Sequence, residues 1–177
     1  MKKIANLLMA LSAMTFMYAC SGNKDTEKTE NKLVYSSDME YEKWINGQSL
    51  VNERAHSGKF SSKVDSTNNY SFGFTENFKN ISDKAPAFAN VSVWINYPVT
   101  GIKSTLVVSV DAPDQNIFWA GTELLDSVKE ANKWKEIRSL ITLPAVIQPD
   151  YKISVYVWSN DKKPFYVDDL KVEFLNK

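Results

Sequence analysis

The sequence predicts an all-β antiparallel sandwich of about ten strands, and three observations carry that reading. Apolar and polar residues alternate with a period of two through ten short runs. Turn-forming residues stand between most of them. The single stretch with helical spacing, residues 122–133 with Leu124, Leu125 and Val128, ends where Trp134 restarts the alternation, so it reads as a loop with one turn. Short strands separated by turn chemistry pack as antiparallel sheets.

The elements follow in order. KLVYS at 32–36 alternates and is followed, after a polar stretch, by the Asn46-Gly47 turn; SLVNER at 49–54 comes next. Ser57-Gly58 turns the chain into KFSSKV at 59–64, and Thr67-Asn68-Asn69 turns it into YSFGFT at 70–75. In NVSVWINY, residues 90–97, Val91, Val93, Ile95 and Tyr97 form the core side, leaving Ser92, Trp94 and Asn96 on the other. Thr100-Gly101 precedes TLVVSVD at 105–111, and Ala112-Pro113-Asp114 precedes NIFWAG at 116–121, where Phe118 and Trp119 face opposite ways. WKEIRSLITL at 134–143 opens on Trp134, read as core. Gln148-Pro149-Asp150 then leads to KISVYVW at 152–158, where Ile153, Val155 and Val157 are core and Ser154, Tyr156 and Trp158 face away. After Asn160 to Pro164 the chain ends on FYVDDLKVEF, whose plain alternation puts Asp168 on one face with Tyr166, Leu170, Val172 and Phe174. A carboxylate in that company requires a cation or converging donors.

Residues 1–19 carry Lys2 and Lys3, then an apolar run from Ile4 too short to span a bilayer, and read as a cleaved secretory leader. The run ends at Ala19 and Cys20, the only cysteine, which excludes a disulfide framework. A lone cysteine there resembles the lipobox of bacterial lipoproteins, although Met17 and Tyr18 depart from its usual residues; the resemblance implies that Cys20 carries the lipid and is the membrane anchor. Residues 20–31 contain no aromatic or aliphatic side chain and read as a flexible tether. Ser21 after the cysteine, in the same resemblance, implies the outer membrane, on its periplasmic or surface face. The remaining 32–177 have the size of one domain. Basic and acidic residues number 21 each, and removing Lys2 and Lys3 leaves 19 basic against 21 acidic, a balance that excludes nucleic acid as a partner.

Three separated pieces, SSDMEYEKW at 36–44, AHSGKFSSKV at 55–64 and FYVDDLKVE at 165–173, with KWKEIRSLITLP between them, resemble the jelly-roll carbohydrate-binding modules of xylanases and cellulases, within the galactose-binding-like superfamily. The resemblance spans nearly all of 32–177. It implies a structural calcium held by Glu40, or Asp38 in its place, by a backbone oxygen of Lys59, and by Asp168. The residues themselves leave a second possibility open, in which Asp168 accepts hydrogen bonds from N–H groups of the His56 to Lys59 turn with no metal.

Trp94, Tyr156 and Trp158, with Trp119, are the candidate ligand-binding residues, since flat rings on a wet sheet face suit the C–H faces of sugars. The other reading makes them a second small core beneath a loop. His56 is the only histidine and falls in a turn, and no nucleophile elbow, phosphate loop or zinc pattern occurs, so no enzyme is expected. Two functions follow as expectations: non-catalytic binding of polysaccharide or oligosaccharide at the cell envelope, or a scaffold lipoprotein docking another envelope protein through the same sandwich.

Overall fold

The computed structural model describes residues 33–41 and 44–176; the leader, Cys20 and the tether lie outside them. Among the described residues ten strands form two antiparallel sheets, one strand from each of the ten alternating runs. They are β1 (Leu33–Ser37), β2 (Leu50–Val51), β3 (Ser61–Val64), β4 (Phe74–Asn77), β5 (Phe88–Asn96), β6 (Ser104–Asp111), β7 (Asn116–Glu123), β8 (Trp134–Thr142), β9 (Lys152–Ser159) and β10 (Phe165–Leu175). A single helical turn, α1 (Phe78–Ile81), follows β4 and buries Phe78 and Ile81. The helically spaced stretch is a turn, with Leu124 and Val128 buried and the Val128 N–H donating to the Leu124 carbonyl at 3.2 Å.

One sheet runs β2-β3-β10-β5-β8 with β1 also on β10; the other runs β4-β9-β6-β7. Strand β10 is the spine of the larger sheet. Along one edge it pairs throughout with β5, and along the other its first residues pair with β3 and its later ones with β1. The core lies between the sheets. Val91, Val93, Ile95, Val155, Val157, Ile153 and Tyr97 are all buried there, as their alternation predicts.

Strand β10 departs from plain alternation. Phe165 and Val167 reach the core, and so do Leu170, Val172 and Phe174, two sets of opposite parity. The register shifts between Asp168 and Lys171, where Asp169 takes the left-handed φ of 47°. This is a β-bulge, and it re-aims every residue beyond it. Asp168 therefore belongs with Tyr166 on the outer side of the larger sheet, not with Leu170 and Phe174 in the core. It is nonetheless wholly buried, because residues 52–60 cross that face as a strap.

Candidate functional site

The strap fills the place where β10 changes partner from β3 to β1. Asp168 Oδ2 accepts the His56 N–H at 2.7 Å and the Ser57 N–H at 3.2 Å, while Oδ1 accepts the Asp169 N–H at 2.8 Å. Asp169 holds the strap's side chains, taking the His56 ring at 2.6 Å and the Ser57 hydroxyl at 2.7 Å. From the first strand's end, Glu40 Oε1 accepts the N–H groups of Lys59 at 2.6 Å and Phe60 at 2.8 Å. Gly58, with φ 57°, lets this happen twice over: its left-handed backbone aims those amides, and a Cβ there would collide with the Glu40 carboxylate. Those two amides hold the Glu40 carboxyl below its usual range, whereas burial pushes Asp168 up to about 6 against the pull of the His56 amide.

Glu40, Lys59 and Asp168 thus converge on one strap, as their resemblance implies, but with different chemistry. It is the Lys59 N–H that meets Glu40, and Asp168 is met by three more amides. A calcium ion requires oxygen ligands, whereas the groups that meet these two carboxylates are N–H donors, which fit a carboxylate without a cation. Among the described residues no group of three or more His, Cys, Asp or Glu is placed to hold a metal ion. Chelation is accordingly expected to leave the melting temperature unchanged; a fall on chelation that added calcium restores would overturn the amide-only account.

The four aromatic candidates divide between two faces. Trp94 lies on β5 in the larger sheet, opposite Glu136 and Asp168. Its ring stacks on His56 with centroids 3.7 Å apart and planes 15° apart, and Trp134 packs edge-on to the same imidazole at 5.7 Å. Trp94 is therefore part of the strap's seating, and its place in one platform with Tyr156 and Trp158 is corrected. Trp134 is likewise corrected from core to the outer side of β8, because Ile137 holds the inward parity. Arg54 completes the seating. It donates to Asn96 Oδ1 at 2.6 Å and Asn132 Oδ1 at 2.9 Å, and its guanidinium lies 5.3 Å from the Tyr166 ring centroid.

Trp119, Tyr156 and Trp158 share the outer face of the smaller sheet, on β7 and β9 with β6 between. Trp119 is 51% exposed, while Phe118 turns to the core. The Trp119 indole lies across Gly121, where a Cβ would strike the ring. Val107, next to both Gly121 and Tyr156, is fully buried although it points away from the core. The rings and their neighbours cover it. Tyr70, 47% exposed, joins the group: it stands opposite Trp158 and meets the Tyr156 ring edge-on at 5.5 Å. Burial and the neighbouring Tyr70 raise the Tyr156 hydroxyl's pKa, so it stays protonated and able to donate. Between the rings lie small polar side chains, Ser109, Thr105, and Ser154 bonded to Thr75 at 3.1 Å. The face is thus a set of aromatic plates set among hydroxyls.

This two-sheet antiparallel sandwich shares its fold with solved β-sandwich domains. It is similar to the CBM22-1 xylan-binding domain of Paenibacillus barcinonensis Xyn10C, at 16% sequence identity and a TM-score of 0.52, over 84% of this chain and 97% of that one. It is similar also to the C-terminal family 22 carbohydrate-binding module of Clostridium thermocellum Xyn10B, at 16% identity and a TM-score of 0.50, over 80% of this chain and 92% of that one. Identity this low establishes the shared fold and nothing about ligands. No protein-family model matches the sequence, and no curated protein matches it.

Proposed function

We propose that this chain is a non-catalytic carbohydrate-binding lipoprotein of the cell envelope, holding glycan on the outer face of the smaller sheet through Trp119, Tyr156 and Trp158, with Tyr70 extending the platform. The observation that carries it is the half-exposed Trp119 ring reaching over Gly121, in one surface with the Tyr156, Trp158 and Tyr70 rings. Large exposed aromatic surface of this kind marks binding sites. The fold's neighbours support the reading, since both are carbohydrate-binding modules and one is a xylan-binding domain.

The same face argues against catalysis. Its strands place two carboxylates there, Asp111 and Glu123, and Glu123 pairs with Thr105 at the far end of β6 from Asp111. Six residues at about 3.4 Å each separate those rungs by about 20 Å, beyond the roughly 5 to 9.5 Å that glycoside hydrolysis requires of its two carboxyl groups. The leader, Cys20 and the polar tether support lipid anchoring at the outer membrane; no helix among the described residues is long and apolar enough to cross one.

Titration of the full-length protein in detergent with plant, algal and host polysaccharides, followed by tryptophan fluorescence, tests the proposal. A saturable shift that vanishes in Trp119→Ala is the expected result. No shift with any glycan, from a protein with an intact β-sheet circular dichroism spectrum, overturns it in favour of the scaffold alternative.

A further inference from the structure

The rung of the smaller sheet that holds Trp158 continues through Thr105 to Glu123, and there the surface opens into a cavity of about 200 Å³ lined by Lys103, Ser104, Thr105, Glu123, Leu125 and Asn160. We propose that this cavity is a subsite for the acetamido group of an N-acetylated hexosamine unit in a glycan lying on the aromatic face. The inference rests on the reading of that face as a glycan platform and adds the class of sugar it selects.

The lining supplies one partner for each part of an acetamido group. The Thr105 hydroxyl donates to Asn160 Oδ1 at 3.0 Å, which turns the oxygen of that amide to Thr105 and leaves its NH₂ available as a donor. Neither the Lys103 ammonium nor the Glu123 carboxylate takes part in an ion pair among the described residues. A ligand carbonyl can therefore accept from Asn160 or Lys103, and a ligand N–H can donate to Glu123. Leu125, 36% exposed, offers an apolar contact for the methyl group.

Charge decides between substituents. One ammonium and one carboxylate in the same cavity cancel, so a uronate gains Lys103 but meets Glu123 and a free amine gains Glu123 but meets Lys103, and neither charge is favoured. A neutral dipole with a donor, an acceptor and a methyl group satisfies both charges. A bare hydroxyl supplies no methyl group for Leu125 and fewer hydrogen-bonding atoms. Of the substituents that sugars commonly carry, the acetamido group matches the whole set.

Chitohexaose and cellohexaose share a β-1,4-linked glucose skeleton and differ in the acetamido group, which makes them the deciding pair. Calorimetric titration of the full-length protein in detergent is expected to give about tenfold tighter binding of chitohexaose, the scale of one or two added hydrogen bonds with an apolar contact. In Leu125→Ser and in Glu123→Ala that preference falls toward parity while cellohexaose binding stays as it was. Equal or weaker binding of chitohexaose than of cellohexaose or xylohexaose overturns the subsite and leaves the aromatic platform standing. A chitohexaose preference that survives in both variants overturns the placement in this cavity. If the three oligosaccharides fail but a polysaccharide still binds, the subsite alone falls; if no glycan binds, both readings fall together.

Discussion

Asp168→Ala is expected to cost the fold about 3 kcal/mol, because it strands three N–H donors, those of His56, Ser57 and Asp169, where the carboxylate had met them. For a domain of this size that is a fall in melting temperature of roughly 10 °C. The effect should depend on pH in a particular direction. Burial raises the Asp168 carboxyl from 3.8 to about 6, so between those values the folded protein binds this proton more tightly than the unfolded chain does. Its contribution to stability is then fully present below the unfolded value and declines as pH rises through the folded one. Urea denaturation at pH 7 and pH 5 should show the gap between the natural protein and Asp168→Ala widening on acidification. A gap that narrows instead would mean that the amides, not burial, set the ionisation of Asp168. Glu40 behaves in the opposite sense. Its carboxyl is lowered by the Lys59 and Phe60 amides, so its stabilising effect is present at neutral pH and is lost as acid protonates it.

The same residue shows where a sequence stops being legible. Ten alternating runs became ten strands, and the inward parity of β5 and β9 was readable because each strand keeps one register from end to end. Strand β10 does not. The clue was present in its own spacing: Phe165 and Val167 alternate with each other, Leu170, Val172 and Phe174 alternate with each other, and the two sets are three residues apart across Asp168 and Asp169. A period of two cannot hold both sets on one face, so a bulge was required between them. Tyr70 is hidden from a plain alternation for a related reason. Alternation groups it with Phe72 and Phe74, but it pairs with Trp158 one residue out of the register in which β4 pairs Phe74 with Val155, and the slip turns it outward.

Trp94 differs in another way. Alternation alone points it away from the core, and it points Tyr156 and Trp158 away as well. Two strands with outward aromatics present one surface only if they share a sheet, and sheet membership is a property of topology that no local period encodes. Here β5 lies beside β10 and β8, while β9 lies beside β4 and β6. Three of the four candidate rings therefore share one face, and Trp94 lies on the other sheet. The loss of Trp94 to the strap also explains why His56, a turn residue by sequence, is held by Asp169 on one side and an indole on the other.

On the remaining face the largest effect is expected from Trp119. Its ring is the most exposed of the three indole and phenol plates that the sequence pointed to, and truncating a central aromatic of a binding surface commonly costs about 2 kcal/mol, or roughly thirtyfold in affinity. Trp119→Ala should weaken glycan binding by that factor with little change in melting temperature, since the indole lies outside the core. Gly121→Val supplies the sharper test, because it keeps the indole and removes only its resting place: the added side chain collides with the ring and with Thr105. If the indole's position over Gly121 is what the sugar uses, Gly121→Val loses affinity nearly as far as Trp119→Ala does, and the fluorescence of Trp119 shifts in the free protein. Retained affinity in Gly121→Val together with loss in Trp119→Ala would show that the indole binds from another pose. Retained affinity in both would move the ligand off this face, since the ring that defines the platform would then contribute nothing to holding it.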